Sequence, residues 1–182
     1  IVRPTLSIIL PTNGSFFNVT TVELNITVTD DLDVNTCFYD LNGAATNTTI
    51  TDCTNVSITG NVGENNLTVY VDDTSGNIES ANVVFIIDTL EPDMVLTSPD
   101  NLTNFSTASP TFNFTVIDDI ATALNCSLYI DSSINATNAS VTNGSATEIS
   151  GGGIAEGAHP GYVACNDDAT NENTTETRTF VI

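Results

Sequence analysis

The stretch that decides the fold is "ELNITVTDDL", Glu23–Leu32, in which apolar and polar residues alternate before the chain turns acidic. The same phrase returns later as "TFNFTVIDDI", Thr111–Ile120. Strict alternation of β-branched and aromatic residues with polar ones predicts a strand with one buried face. Leu24, Ile26 and Val28 are therefore expected to face a core in the first copy.

Other phrases repeat in the same order along the chain. The matching pairs are "ILPTNG" with "LTSPDN", "LTVYVDDTSGN" with "YVACNDDATN", and "VVFIID" with "RTFVI". The repeat predicts two domains, residues 1–90 and 91–182, joined by a short linker near "DTLEP" (Asp88–Pro92).

Short candidate strands fill both copies, and no window has a helical period. Besides the two quoted strands, they are 5–10, 35–41, 53–59, 66–72, 81–88, 94–98, 124–131, 145–150, 161–166 and 176–182. Gly, Asn, Asp and Pro separate them. This pattern predicts an all-β fold made of two tandem immunoglobulin-like antiparallel β-sandwiches, each with one disulfide.

The four cysteines, Cys37, Cys53, Cys126 and Cys165, contain no Cys-x-x-Cys pair. An even number at wide spacing favours two disulfides formed in an oxidising compartment. We expect bonds within each copy, with Cys37–Cys53 tying neighbouring strands or a loop and Cys126–Cys165 joining the two sheets. Bonding between the copies is the alternative.

The chain is strongly acidic, with 23 Asp and Glu residues against two arginines and no Lys. Nucleic-acid binding needs a basic surface, so this class of partner is excluded. The lack of Lys also excludes Schiff-base and P-loop chemistry. No apolar run approaches the ~20 residues of a membrane span, so no direct membrane span is predicted.

Asn-x-Ser/Thr sequons, the acceptor signal for N-glycosylation, are unusually frequent. The fourteen acceptor asparagines are Asn13, Asn18, Asn25, Asn47, Asn55, Asn66, Asn101, Asn104, Asn113, Asn125, Asn135, Asn138, Asn143 and Asn173. Where a sequon lies in a predicted strand, its middle residue is apolar, so the Asn and the Ser or Thr share the solvent face. This predicts extensive modification by covalent N-glycans.

Acidic residues cluster where predicted strands end. Seven of them are expected near the domain junction: Asp88, Glu91, Asp93, Asp118, Asp119, Asp167 and Asp168. Oxygen-rich clusters without Lys suit Ca²⁺, so a calcium ion at the junction is a hypothesis. The alternative is that these residues start turns and stay hydrated, since the chain has no compact Asp-x-Asp-x-Asp-Gly loop.

Catalytic groupings are not predicted. His159 is the only His, and its setting "EGAHPGY" predicts a surface turn. A single His with oxidised cysteines supplies neither a zinc site nor a nucleophile triad, so we do not expect an enzyme.

The second copy resembles the tandem Ig-like repeats of archaeal cell-surface glycoproteins. The matching stretches are "NCSLYIDSSINATNASVTNGSATEIS" and "EGAHPGYVACNDDATNENTTETRTFVI", and the first copy matches more loosely through "CFYDLNG" and "VDDTSGNIES". The resemblance implies an extracellular, cell-surface role, structural or adhesive, with no catalytic residues.

These observations predict a non-catalytic subunit of a glycosylated surface assembly, either a pilus-like filament or an S-layer-type coat. Glycans would cover the sides, so copies of the chain or other surface proteins would meet at domain ends and termini. The segment Ile1–Leu10 either docks into a neighbouring subunit or forms an ordinary first strand. The alternative function is an adhesin or receptor fragment that binds a partner through its tip loops.

Overall fold

A computed structural model describes residues 2–31 and 33–182. Ile1, the first residue of the proposed docking segment, and Leu32, the last of the opening phrase, lie outside these ranges. The contacts divide the chain into two compact units, Ile1–Thr89 and Leu90–Ile182. This division is one residue from the boundary predicted by the repeat.

The first unit is a sandwich of two β-sheets. Its strands are β1 (Thr5–Leu10), β2 (Phe16–Phe17), β3 (Thr21–Thr29), β4 (Val34–Leu41), β5 (Thr48–Ile50), β6 (Val56–Thr59), β7 (Gly63–Asp73) and β8 (Ile78–Ile87). One sheet has the order β1-β3-β6, and the other has the order β2-β8-β7-β4-β5. All pairs are antiparallel except the short β2–β8 pair.

The second unit repeats this plan. Its strands are β9 (Asp93–Ser98), β10 (Thr103–Asn104), β11 (Thr111–Ile117), β12 (Ala123–Ile130), β13 (Ser133–Thr142), β14 (Ala146–Ser150), β15 (Ala158–Asn166), β16 (Glu172–Thr174) and β17 (Arg178–Val181). The sheets have the orders β14-β11-β9 and β10-β17-β15-β12-β13, and β16 also pairs with β15. The described chain contains no α-helix and a single 3-10 turn, Thr51–Cys53.

Alternation along the strands builds one core in each unit. In β3, Leu24 is fully buried and Ile26 is 7% exposed, while Val28 packs at the margin. In β11, Phe112 and Phe114 are fully buried. Burying side chains of this size contributes about 1.5–3 kcal/mol each before conformational entropy is subtracted. The two quoted phrases are therefore the central strands of the two three-stranded sheets.

Each unit holds its own disulfide, as expected, but one bond has a different role from the predicted one. Cys37 in β4 bonds to Cys53 in the 3-10 turn after β5. Cys126 in β12 bonds to Cys165 in β15. The expectation that this second bond joins the two sheets is wrong, because β12 and β15 are neighbours in one sheet and the two cysteines lie directly opposite each other.

The sequence patterns miss several strands and misplace one. They miss β13 and the short strands β2, β5, β10 and β16, and they begin β6 three residues early, inside the 3-10 turn. His159 lies in β15 rather than in a turn. The segment Thr5–Leu10 pairs with β3 of its own unit, which is the ordinary first-strand alternative.

Candidate glycan-acceptor surface

Strand sequons are positioned by the same alternation that builds the cores. The middle residues Leu67, Phe114 and Cys126 are fully buried. Successive side chains of a strand point to opposite faces, so the flanking Asn and Ser or Thr lie on the outer face. The predicted link between an apolar middle residue and an outward asparagine is thus present in both units.

None of the fourteen sequon asparagines is buried. Nine are exposed: Asn13, Asn18, Asn47, Asn55, Asn66, Asn101, Asn104, Asn125 and Asn135. Five are half-buried: Asn25, Asn113, Asn138, Asn143 and Asn173. They occupy both sheets of each unit, with four in loops of the first unit and two in loops of the second, so acceptor side chains surround both cores.

A glycan attaches through the side-chain nitrogen of Asn. The sequons therefore differ in how many hydrogen bonds that nitrogen already donates within the fold. Asn13 and Asn101 accept bonds through Oδ1 only, from the backbone N–H of Val84 at 2.9 Å and of Thr179 at 2.8 Å. Asn66 likewise accepts through Oδ1, from the Asn82 side chain. These contacts fix the amide while leaving its nitrogen available.

Other sequons use one N–H of the amide within the fold. Asn113 donates to the Ser98 hydroxyl at 2.7 Å, and Asn173 donates to the Pro92 carbonyl at 2.9 Å. Glycosylation removes one of the two amide hydrogens, so each of these bonds can survive attachment if the remaining hydrogen takes it over.

Asn143 uses both amide hydrogens. Its Nδ2 donates to the carbonyls of Asp118 and Ala121, each at 2.7 Å, and its Oδ1 accepts from the Asp118 backbone N–H at 3.0 Å. The side chain therefore clamps the loop between β11 and β12. This structural role is not recognisable from the sequence, where Asn143 looks like any other sequon.

The acidic stretches "VDDTSGN", residues 71–77, and "NDDATN", residues 166–171, each contain a turn held by an Asp side chain. Asp73 accepts bonds from the side chain and backbone of Asn77, at 2.6 and 2.8 Å. In the second unit Asp167 accepts the same two bonds from Asn171, at 2.7 and 2.8 Å. The equivalent residues are therefore Asp73 and Asp167. The Asn77 side chain, together with backbone N–H groups of the turn, lowers the pKa of Asp73 despite its burial.

Among the seven acidic residues proposed to bind calcium, Asp118 has an unusual environment. It is 8% exposed, and its Oδ1 accepts bonds from the backbone N–H groups of Ile120 and Ala121. Its Oδ2 is buried without a hydrogen-bond partner in the described chain. Among the described residues of the second unit taken alone, no three carboxylates lie close enough to share an ion. Calcium binding therefore stays a prediction.

His159 and Arg178 both have structural contacts. His159 lies 2.7 Å from Asp131 through Nδ1 and 3.0 Å from the Ala155 carbonyl through Nε2. The hydrogen bond to Asp131 raises the pKa of His159. Arg178 donates to the carbonyls of Leu96 and Pro99 and therefore ties β17 to β9 and the segment that follows it.

No helix in the described ranges is long and apolar enough to cross a membrane.

Comparison with known proteins identifies the architecture. No protein-family model and no curated protein matches the sequence. The chain is similar in structure to the fibronectin(III)-like modules of Clostridium thermocellum CbhA, with a TM-score of 0.65 and 17% identity, over 98% of this chain and 94% of that one. It is also similar to the three N-terminal domains of the bacteriophage RB49 Highly Immunogenic Outer Capsid protein (Hoc), with a TM-score of 0.52 and 12% identity, over 98% and 69% of the two chains. At these identities the likeness shows the fold, an Ig-like and fibronectin(III)-like sandwich.

Proposed function

We propose that the chain is a non-catalytic structural subunit of a heavily N-glycosylated extracellular surface assembly, a pilus-like filament or an S-layer-type coat. The observation that carries the proposal is that all fourteen sequon asparagines lie outside the cores of two disulfide-bonded sandwiches. The resemblance of the second copy to Ig-like repeats of archaeal surface glycoproteins supports the same role.

Glycosylation of the edge strand β13 would protect an exposed edge of the sheet. This strand is ten residues long, pairs only with β12, and carries Asn135 and Asn138. A long unpaired edge is a template for unwanted association with other strands. Glycans at these two positions would block lateral pairing and leave the ends of the sandwiches for contact with neighbouring subunits.

Two measurements on native material test this proposal. Mass spectrometry of glycopeptides should find glycans at a majority of the fourteen sequons. Electron microscopy should show filaments or sheets. A native protein without glycans, or one present only as dispersed particles, would refute the proposed role.

An adhesin or receptor fragment is the second candidate. The fixed tip turns at Asp73 and Asp167 favour it, because loops held in one conformation lose less entropy on binding. The mass of the native secreted chain separates the candidates, since a fragment belongs to a longer multi-repeat protein.

Calcium binding is a further part of the proposal. The buried, unpartnered Oδ2 of Asp118 supports it, because a carboxylate oxygen without a hydrogen-bond donor can be satisfied by a hard cation. Calcium would stabilise the loop after β11.

A further inference from the structure

Two pairs of stacked aromatic rings lie on the outer faces of the larger sheets of the two units. In the first unit Phe38 and Tyr70 lie opposite each other on β4 and β7, with ring centroids 5.1 Å apart. In the second unit Tyr129 and Tyr162 lie opposite each other on β12 and β15, 4.9 Å apart and nearly parallel. All four rings are half-buried, whereas residues beside them along the strands, such as Val69 and Leu128, belong to the cores.

Each pair contains a tyrosine that follows a sequon at a fixed spacing. The phrases are "NLTVY", residues 66–70, and "NCSLY", residues 125–129. In a strand, residues i, i+2 and i+4 share a face, so the Asn, the hydroxyl residue and the Tyr are aligned along the outer surface. Asn66 and Asn125 are exposed. Four residues of strand span about 13–14 Å, a distance that a chain of a few sugars covers.

The spacing recurs although the strand that carries it changes. In the first unit the sequon lies on β7, whereas in the second it lies on β12, the counterpart of β4. The aromatic pair nevertheless joins corresponding strands in both units. Inheritance of one ancestral position therefore does not explain why sequon and tyrosine occur together.

The rings have accessible surface beside them. Tyr70 is flanked on β8 by Ser80 and Phe38 is flanked on β5 by Thr49, both small and exposed. Ile134, the neighbour of Tyr129 on β13, is 60% exposed. The surface beside Phe38, Tyr70 and Tyr129 is therefore exposed to solvent and open to a ligand.

The chemistry of the rings favours a neutral sugar. An aromatic face carries partial negative charge, and it attracts the weakly positive C–H groups of a sugar ring. This chain offers few cations to compete for the rings, because it has no Lys, Arg178 is bound to backbone carbonyls, and Arg3 donates to the Ile78 carbonyl.

We propose that the pairs Phe38–Tyr70 and Tyr129–Tyr162 are docking platforms for the neutral sugars of the N-glycans on Asn66 and Asn125. The inference rests on the proposed glycosylation. Because a glycan is tethered to the same strand, its effective concentration at the rings is high, and a weak contact is sufficient to hold it. Docked glycans would lie along the sheets and cover more of their surface than freely extended ones.

A double-mutant cycle on the glycosylated protein from its native producer tests the second platform. The variants are Tyr129→Leu, which removes the ring but keeps an apolar side chain, Asn125→Gln, which removes the glycan, and the combination. We expect Tyr129→Leu to lower Tm more when the Asn125 glycan is present than when it is absent. The matched control replaces Asn125→Gln by Asn55→Gln, a sequon of the first unit, for which the effects should be additive.

Nuclear magnetic resonance provides the direct readout. Sugar protons above an aromatic face shift upfield, and Tyr129→Leu should abolish the shift for the Asn125 glycan. Occupied Asn125 and Asn66 with additive Tm effects and no shifted sugar protons would overturn the inference and leave the proposed function intact. Bare Asn125 and Asn66 in a protein glycosylated elsewhere would likewise overturn the inference alone, whereas a protein with no glycan overturns both proposals.

Discussion

Replacing Asn143 by Ala removes the clamp on the loop between β11 and β12. Three hydrogen bonds are lost, and they join one side chain to the backbone of Asp118 and Ala121. At about 1 kcal/mol net for each bond, the free energy of unfolding of the second unit should fall by about 3 kcal/mol. For a domain of this size, that corresponds to a decrease in Tm on the order of 10–20 °C.

The assay is urea unfolding of disulfide-intact protein made in a host that does not N-glycosylate it. Asn125→Ala is the matched control, because this exposed sequon asparagine makes no side-chain hydrogen bond in the described structure. Its effect should stay within about 0.5 kcal/mol. If Asn143→Ala is no more destabilising than Asn125→Ala, the clamp contributes nothing and the reasoning is refuted.

Three other changes test separate parts of the structure. Asp167→Ala should destabilise the second unit by about 2–4 kcal/mol in urea unfolding, because the bonds from Asn171 are lost, whereas exposed Asp168→Ala should be nearly neutral. The pKa of His159 is raised by Asp131, so its stabilising contribution is complete below the unfolded pKa near 6.5 and disappears as pH rises through the folded pKa. Tm measured against pH should show this loss, and His159→Phe should remove it. A calcium chelator should lower Tm, with recovery on adding calcium, and an unchanged Tm would contradict the calcium proposal.

The central strands can be predicted because apolar and polar residues alternate along them. Strands without this alternation cannot be recognised from the sequence. β3 and β11 are evident in the sequence because their buried residues are large and strictly alternate with polar ones. β13, "SINATNASVT", escapes prediction because an edge strand with much of its surface in water has little apolar signal. The two-residue strands β2 and β10 are defined by pairing with distant strands, which no local pattern records.

The roles of single residues are predictable only when their partners are close in sequence. The motif of an Asp followed four residues later by an Asn is present in both copies, but alignment on Asp-Asp places Asp72 rather than Asp73 opposite Asp167. The hydrogen bonds of Asn143 join segments that are far apart in the chain, so the sequon Asn-Gly-Ser alone does not predict them. The role of Cys126–Cys165 could have been derived from topology, because the third and sixth strands of such sandwiches share a sheet.

The sequons differ physically in how many amide hydrogens the fold uses. Asn18 and Asn47 use none in the described structure, Asn113 and Asn173 use one, and Asn143 uses two. A glycosylated asparagine keeps a single N–H, so attachment at Asn143 leaves Asp118 or Ala121 without a donor. Glycan occupancy in the folded protein should therefore be lowest at Asn143. Glycopeptide analysis that finds Asn143 fully occupied in an intact second unit would show that its hydrogen bonds do not control acceptor use.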